Sequence, residues 1–400
     1  MSPGQTLRSS MKNISAQPAF TVVIPTRERC DTLFHSLSTV LRQDYAPLSV
    51  IVADNMSQDD TRAVVEGFRD SRIRYFRSDS RLSMSANWER VLEAVDDSWV
   101  TVLGDDDGLL PGALSKIAAL AAATGTMAIR TSNVEYFWPG LGGRRFGELL
   151  LPRQGSHVML DGLSCLDDVL LRRRRYTCLP IPYTGGFVHS ALLQELKSRS
   201  GFLIGSMTPD VYLGVAISQI VGTFALCKFS VAVNGASVHS NGTSFMRGSG
   251  QAFAKYSGEG NIPFHPEIAV ANLEECPRSV QLLVLESYLQ SLNLGLPRRE
   301  SSSFGTQFPL IQVDCLQKSE LFVAWEQRYL KLHGIRRRGG AAHAMLRARS
   351  LLERAVAGVR RRLWMRQVVG TAESRLANVQ EAVAVAQSML ETNRWRSNSV

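Results

Sequence analysis

The sequence predicts an α/β fold with a parallel sheet, followed by a mostly helical C-terminal region. Short β-branched runs recur every 20 to 30 residues in the first quarter of the chain, with helical patterns between them, as in βαβ units. From about residue 272 the apolar residues recur at helical spacing. A length of 400 residues suits two domains, and 44% hydrophobic with 20% charged residues is typical of a soluble globular protein.

The predicted strands and helices alternate from residue 20 onward. Four strands are predicted, over 20–24, 48–53, 73–76 and 99–103. The helices that follow them are predicted to begin near Asp31, near Asp59 or Asp60, at Ser85 and at Pro111. In the C-terminal region, helices are predicted over 279–294, 319–332, 341–368 and 371–392.

Two boundaries divide the chain. Residues 1–17 are polar and are predicted to form a flexible tail. Residues 18–265 form the predicted α/β domain. Residues 266–400 form the predicted helical region, which begins after the proline-flanked turn at 263–266.

The net charge of +9 is concentrated near the C-terminus. Between Arg328 and Arg366, twelve Lys and Arg residues accompany a single acidic residue, Glu353, so this segment carries +11 and the rest of the chain −2. The bulk of the protein is therefore not basic, which argues against nucleic acid as its main partner.

The remaining composition indicates a cytoplasmic protein. The six cysteines are scattered without a Cys-x-x-Cys pair, and the N-terminus lacks the apolar core of a secretory signal, so reduced thiols are expected. No apolar run of about 18 residues is present, so no transmembrane helix is expected.

Polar clusters follow three of the predicted strands, at residues 25–28, 54–57 and 104–107. Ligands of parallel α/β sheets bind at the carboxyl ends of the strands. Asp105, Asp106 and Asp107 would raise one another's pKa, and a divalent cation would remove that cost. The alternative is a solvated acidic turn before the helix at Pro111. Since three clusters meet at strand ends, we expect a ligand site.

Four motifs in this order give the chain a family resemblance. They are Phe-Thr-Val-Val-Ile-Pro-Thr-Arg (20–27), Leu-Arg-Gln-Asp-Tyr (41–45) with Val-Ile-Val-Ala-Asp-Asn-Met-Ser-Gln-Asp-Asp-Thr (50–61), the segment 83–87, and Val-Leu-Gly-Asp-Asp-Asp-Gly-Leu-Leu-Pro (102–111). Together they resemble a family 2 glycosyltransferase of the GT-A fold. The resemblance covers about a quarter of the chain and does not specify a sugar.

The resemblance implies a Rossmann-like mixed sheet flanked by helices, a nucleoside diphosphate sugar donor with uridine as the expected base, and Mn²⁺ or Mg²⁺. The implied nucleotide-sugar contacts come from Pro25, Thr26, Arg27, Glu28, Asp54, Asn87, Asp105 and Asp106. The implied metal contacts come from Asp106, Asp107 and His239. Gly104 departs from the pattern, because it stands where the family usually has an Asp. Two alternatives stay open: Asn87 as an amide bonded to backbone, and His239 as a structural histidine.

An inverting transfer needs a base that deprotonates the acceptor hydroxyl. Asp210 follows Thr208 and Pro209 at a predicted helix start and lies well after the acidic cluster, so we expect it to be this base. The alternative for Asp210 is a plain acid at a helix N-terminus. Glu195, within a predicted helix, is the rival base. Residues 183–186 form either an acceptor-side loop or an ordinary turn.

The expected function is that of an inverting, metal-dependent glycosyltransferase that uses a nucleoside diphosphate sugar and a glycan or lipid-linked acceptor. Two alternatives remain: a sugar nucleotidylyltransferase, and an inactive protein that only binds the nucleotide sugar. The Gly-rich first loop that a nucleotidylyltransferase needs is absent after Ile24.

The two last predicted helices carry apolar stripes. In 341–368, Leu352, Val356 and Val359 share one face and arginines lie opposite, a pattern of helices on anionic membranes or over an internal core. In 371–392, apolar residues recur every three or four positions, which suits either a homodimer or packing on its own domain.

Overall fold

In a computed structural model, the protein is described over residues 17–139, 147–238, 240, 260–315, 320–336, 365–368 and 375–392, and at 348, 352, 355, 356 and 359. The predicted tail therefore lies outside the described residues, except for Gln17.

Eleven strands form one mixed sheet in the described part of the chain. They are β1 Phe20–Thr26, β2 Leu48–Asp54, β3 Ile73–Arg77, β4 Trp99–Val102, β5 Gly108–Leu109, β6 Ala128–Phe137, β7 Leu149–Pro152, β8 His157–Asp161, β9 Gly186–His189, β10 Thr223–Ala236 and β11 Met365–Val368.

Helices cover both faces of this sheet. The α-helices whose first and last residues are both described are α1 Cys30–Leu41, α2 Thr61–Gly67, α3 Met84–Leu92, α4 Ala113–Thr124, α5 Gly162–Leu170, α6 Ser190–Ser200, α7 Pro209–Ser218, α8 Val280–Gln290, α9 Phe304–Asp314, α10 Glu320–Leu332 and α11 Val379–Thr392.

The sheet order is β11-β7-β6-β9-β4-β1-β2-β3, and β10 pairs with β5, β6 and β8. β1 pairs in parallel with β2 and β4, and β2 pairs in parallel with β3, so the predicted βαβ units are confirmed. β9 is antiparallel to β4 and β6 and makes the sheet mixed. This arrangement confirms the expected fold class.

Alternate residues of the parallel strands point into two different cores, as the period of two requires. Val23 and Ile51 lie in one core with helices α3 and α5–α8. Val22 and Val50 lie in the other core with α1 and α4. The central strands are therefore buried on both faces, which explains their unbroken apolar runs.

The C-terminal helices pack on the α/β part of the chain. The core that holds Val23 also contains Leu282 and Leu285 of α8 and Trp325 of α10, so it extends across the predicted boundary near residue 266. On the opposite side, Val379 and Val383 of α11 lie in a third cluster with Tyr136 and Trp138. The apolar stripe of α11 is thus covered by its own sheet, and self-association through this helix stays a prediction.

Three helix predictions need correction, and one helix was missed. The helix predicted over 371–392 begins at Val379, because residues 375–378 are not helical. The helix predicted over 341–368 is wrong at its end, where β11 pairs antiparallel with β7 and satisfies the backbone of that strand. Helix α9 was not predicted, because Pro309 interrupts its pattern. The helix predicted to open at Pro111 begins at Ala113, after Gly112 adopts a φ of 68°. Within the described ranges, no helix has both the length and the hydropathy that a bilayer crossing requires.

We predict that Trp325→Ala destabilises the whole protein. Trp325 is fully buried and donates from its ring nitrogen to the carbonyl of Ile268 at 2.8 Å, so its loss should lower the free energy of unfolding by about 3–5 kcal/mol. Urea unfolding should show one cooperative transition that moves as a whole, because the core is shared. Leu332→Ala, at an exposed position of the same helix, should cost about 0.5 kcal/mol or less. A second urea-unfolding transition that shifts in Trp325→Ala while the first stays unchanged would contradict a core shared by both parts of the chain.

Candidate functional site

The candidate site lies where β1, β2 and β4 end, at the carboxyl edge of the parallel strands. Thr26 ends β1, Asp54 ends β2, and Asp105, Asp106 and Asp107 follow β4. The three ends are adjacent because β1 lies between β2 and β4. All five side chains are buried. The structure therefore brings the three predicted polar clusters together.

Asp54 is held in one orientation by its neighbours. Its Oδ1 accepts from the backbone N–H of Ser57 at 2.9 Å, and its Oδ2 accepts from the hydroxyl of Tyr75 at 2.5 Å. Arg77 Nε lies 3.6 Å from the same Oδ2. Burial, and then the Asp54 charge, raise the pKa of the Tyr75 phenol, which therefore stays a donor.

The turn after β1 joins the turn after β2 through Glu28. Glu28 takes a φ of 55°, a conformation that is uncommon for a residue with a side chain. Its Oε2 accepts from the backbone of Gln58 and Asp59, and its Oε1 pairs with Arg81 at 2.7 Å. Burial opposes ionisation of Glu28, but these contacts hold its pKa below the ordinary value. Pro25 and Arg27, in the same turn, are partly exposed.

Asp105 faces the end of β1. Its Oδ2 accepts from the hydroxyl of Thr26 at 2.8 Å, and its Oδ1 pairs with Arg29 Nη1 at 2.8 Å. Burial raises the pKa of the Asp105 carboxyl, although the Arg29 guanidinium opposes this shift.

Asp106 faces the loop after β10. Its Oδ2 accepts from the hydroxyls of Ser237 and Ser240, each at 2.6 Å. Its backbone carbonyl accepts from the ring nitrogen of Trp138 at 2.8 Å.

Asp107 faces the interior of the sheet. Its Oδ1 accepts from the backbone of Gly235 at 2.7 Å, and its Oδ2 accepts from the backbone of Gly104 at 3.1 Å and from the hydroxyl of Thr184. Burial, and then the charge of Asp106, raise the pKa of Asp107 to about 7. A Cβ at Gly104 would lie 2.6 Å from Asp107 Oδ2, so the close approach requires glycine where the family pattern has Asp.

The donor types of the acidic triplet, Asp105 to Asp107, suit a hard divalent cation. Carboxylate oxygens are the ligands that Mg²⁺ and Mn²⁺ prefer, and burial of three adjacent carboxylates is a cost that a cation would offset. Among the described residues no three acidic, His or Cys side chains are already gathered as a metal cage. His239, the predicted third ligand, lies outside the described residues.

The loop 182–185 is hydrogen-bonded to the triplet and is not an isolated surface turn. Thr184 supplies the hydroxyl for Asp107, and its backbone N–H donates to Val102 at the end of β4 at 2.9 Å. Beneath it, the buried guanidinium of Arg130 donates to the carbonyls of Tyr183 and Thr184, and Asn133 donates to Thr184. Burial lowers the pKa of Arg130, and its three carbonyl partners, which include Thr177, hold the charge in place.

Tyr183, in the loop 182–185, has a buried phenol that responds to the charges of both the triplet and Asp210. Burial raises its pKa well above the ordinary value, and the charges of Asp107, Asp106, Asp210 and Asp105 raise it further, in that order.

Asp210 lies in the first turn of α7, behind Pro209. Burial raises the pKa of its carboxyl, while hydrogen bonds from the backbone of Val211 and of Asp210 itself, and the charge of Arg130, oppose the shift. A carboxylate with a raised pKa accepts protons more readily, as a general base requires. Glu195, the rival, pairs with Arg199 one turn on along α6 at 2.7 Å.

Asn87 is buried on α3 and uses its side chain within the protein. Its Nδ2 donates to the carbonyl of Ala53 at 3.2 Å, next to the end of β2, and its Oδ1 accepts from Arg90 at 3.0 Å. The bond to Ala53 is the one expected if Asn87 is an amide bonded to backbone. A contact between Asn87 and a diphosphate stays a prediction.

The sequence alone did not identify several residues that build the site. Arg29, Tyr75, Gly235 and Ser237 hydrogen-bond to the predicted acidic side chains, and Arg130 holds the carbonyls of the neighbouring loop 182–185. No local spacing relates them to the motifs. The pair Gly185-Gly186 was the one available signal for close backbone approach, since a Cβ at either would lie within 2.3 Å of another atom.

Comparisons with known proteins identify similar sequences and similar folds. Residues 21–158 match the family model described as Glycosyl transferase family 2. The GalNAc(5)-diNAcBac-PP-undecaprenol beta-1,3-glucosyltransferase of Campylobacter jejuni is 36% identical over 103 residues, which are 25% of this chain and 33% of that protein. The succinoglycan biosynthesis protein ExoO of Rhizobium meliloti is 28% identical over 141 residues, 35% of this chain and 40% of that protein. The matches thus span well under half of these relatives.

A solved structure of TarS 1–349 from S. aureus, in complex with UDP-GlcNAc, aligns with 78% of this chain and 92% of its own. The TM-score is 0.47 and the sequence identity 13%.

We predict that Gly235→Ala disrupts the triplet. The new Cβ would lie 1.9 Å from the carbonyl oxygen of Asp106, so the backbone that holds Asp107 must move. The expected loss in free energy of unfolding is about 1–3 kcal/mol or more, measured in urea. Gly67→Ala is the matched control: nothing lies within 4 Å of its Cβ, so it should be neutral or stabilising. Equal stability of the two variants would contradict the close approach at Gly235.

Proposed function

We propose that this chain, whose residues 21–158 form a glycosyl transferase family 2 domain, moves a sugar from a nucleoside diphosphate sugar to an acceptor hydroxyl with inversion. The observation that carries the proposal is the buried acidic triplet that follows β4, beside the ends of β1 and β2, together with Asp210 in the first turn of α7. We also propose that this domain extends over 18–265 and that 266–400 supports it.

The nucleoside diphosphate sugar would bind to the polar residues at the carboxyl ends of β1, β2 and β4. Thr26, Arg27 and Asp54 would contact the base and the ribose, Asp105 would contact the ribose, and Asn87 would lie near the diphosphate. Asp106 and Asp107 would hold a divalent cation, which when bound would offset the charge of the diphosphate. Pro25, near the end of β1, and Glu28, in the turn that follows, would border this surface.

The transfer itself is assigned to Asp210. Its carboxylate takes the proton of the acceptor hydroxyl as the oxygen forms a bond to the anomeric carbon. The bond from that carbon to the diphosphate oxygen breaks on the opposite face, and the nucleoside diphosphate leaves with the electron pair. The raised pKa makes Asp210 a stronger base than an exposed carboxylate.

The proposed acceptor is lipid-linked, and the proposed location is the cytoplasmic face of a membrane. The name of the Campylobacter relative includes an undecaprenol diphosphate. In this chain, Leu352, Val356 and Val359 have helical backbone and are 65%, 40% and 56% exposed, so this apolar stripe does not pack inside the protein. The stripe lies within the segment of +11 net charge, which suits an anionic lipid surface.

The first prediction of this proposal concerns donor binding. Asp106→Asn keeps the size of the side chain and an oxygen for Ser237 and Ser240, but removes the negative charge. The affinity for a nucleoside diphosphate in the presence of Mn²⁺, measured by calorimetry, should fall roughly tenfold or more. Asp96→Asn, at an exposed position, should bind as the wild type does. Unchanged affinity in Asp106→Asn would remove this residue from the site.

The second prediction concerns pH. Because burial raises the pKa of Asp210, the rate should rise with pH through a value above that of an ordinary carboxyl. In Asp210→Asn the rate should not rise with pH over this range, and kcat should fall by about 10²–10⁴-fold. The wild type loses folding stability as pH rises through the ordinary pKa and then the raised one, because the folded state prefers the protonated form. The variant lacks this loss, so at neutral pH it should be at least as stable, as thermal unfolding would show.

The third prediction concerns the membrane. The full chain should sediment with vesicles that contain phosphatidylserine and should be released by moderate salt, because each basic residue near the surface adds ~1 kcal/mol. Replacing Leu352, Val356 and Val359 with Ser should abolish sedimentation. The matched control replaces Val158, Met159 and Leu163, which are exposed elsewhere, with Ser and should sediment normally. Equal sedimentation of both triple variants would exclude the stripe as the contact.

A further inference from the structure

A second buried acid lies outside the donor site, in the C-terminal helical region. Glu286, on α8, is almost completely buried. Its Oε2 accepts from the hydroxyl of Ser206, and its Oε1 accepts from Gln290 at 3.0 Å. Burial raises its pKa to about 7, while these donors and the backbone of His265 oppose the shift. Burial of an ionisable acid lowers the free energy of unfolding unless hydrogen bonds to the acid offset the cost. The partners that bond to Glu286 are therefore held in position by it.

The partner of Glu286 belongs to the segment that leads into α7. Ser206 also accepts a hydrogen bond at its backbone carbonyl, from the hydroxyl of Ser85 on α3, at 2.7 Å. Just before it, the carboxylate of Glu89, also on α3, accepts from the backbone of Leu203 at 2.8 Å and of Ile204 at 2.6 Å. The segment 203–206 is therefore held from two sides, by α3 and by α8.

The same contacts continue to the N-cap of α7. The backbone of Thr208 donates to the hydroxyl of Ser206 at 3.3 Å, and the hydroxyl of Thr208 lies 3.3 Å from that of Ser287, the residue after Glu286. Thr208 is the N-cap residue of α7, and Asp210 is in its first turn. Three residues therefore separate Ser206, the partner of Glu286, from the carboxylate assigned as base.

We propose that Glu286, through Ser206, is a positioning residue for Asp210, so that the C-terminal helical region sets the geometry of the base. This inference rests on the proposed function of the site. Glu286 does not touch the donor surface; it fixes where helix α7 begins. A displacement of a base by about 1 Å can cost 10²-fold in rate, so even a small loss of this contact should be visible in turnover.

Two variants break the contact. Ser206→Ala removes the hydroxyl that links Glu286 to Thr208. Glu286→Gln exchanges one acceptor oxygen for a donor group, so it loses the bond from Ser206 or the one from Gln290. The matched control is Glu326→Gln, which changes a buried carboxylate of α10 that accepts from Gln312 at 2.7 Å and does not reach the segment 203–208.

The test is the kcat of these variants in two backgrounds. With Asp210 present, Ser206→Ala and Glu286→Gln should each lower kcat by about 10- to 100-fold, with the donor KM within about twofold. In the Asp210→Asn background they should lower it by less than about twofold, because there is no base left to misplace. The Glu326→Gln control should show no loss of kcat in the first background. Equal losses in both backgrounds, or no loss in the first, would overturn the proposal.

Amide hydrogen exchange decides the same question without turnover. Residues 203–212 should exchange faster in Ser206→Ala and Glu286→Gln than in the wild type and the Glu326→Gln control. Equal exchange would overturn the positioning role even if the protein is an active transferase. If the wild type releases nucleoside diphosphate from no sugar donor, the proposed function fails on its own, whatever the exchange shows.

Discussion

The burial of three consecutive carboxylates is the constraint on which the rest of the structure depends. Asp105, Asp106 and Asp107 cannot be neutralised by one another, so the fold gives each a separate set of donors: the end of β1, the loop after β10, and the loop 182–185 with Gly235. Burial still raises the pKa of Asp105 and Asp107. Buried carboxylates with raised pKa values lower the free energy of unfolding. They are typical of a functional site and unusual in a region that only stabilises the fold.

This constraint explains why distant parts of the chain meet at one edge of the sheet. Strand β10 reaches the triplet through Gly235, and α11 and β11 cover the outer sheet beside it. On the other side, α3 and α8 hold the segment that ends at Asp210. The C-terminal region thus belongs to the same structure as the α/β part.

The sequence predicted the parts of the fold that local pattern controls. The strands at 20–26, 48–54, 73–77 and 99–102 are short runs rich in apolar and β-branched residues, and their parallel order places the polar strand ends together. It could not predict that β11 follows the basic segment, because strand pairing with β7 depends on a partner over two hundred residues away. Nor could it find Arg130, Tyr75 or Glu286, since their roles arise from contacts between elements that share no motif.

The central claim is that the buried triplet and Asp210 together transfer a sugar with inversion. The most direct test is proton NMR of the wild-type protein with Mg²⁺, which is diamagnetic, and a panel of α-linked nucleoside diphosphate sugars, followed from the first minutes of the reaction. The account predicts release of nucleoside diphosphate together with a sugar product that is first formed as the β anomer. A first-formed α anomer would contradict inversion, and no release from any donor would contradict the assignment of the site.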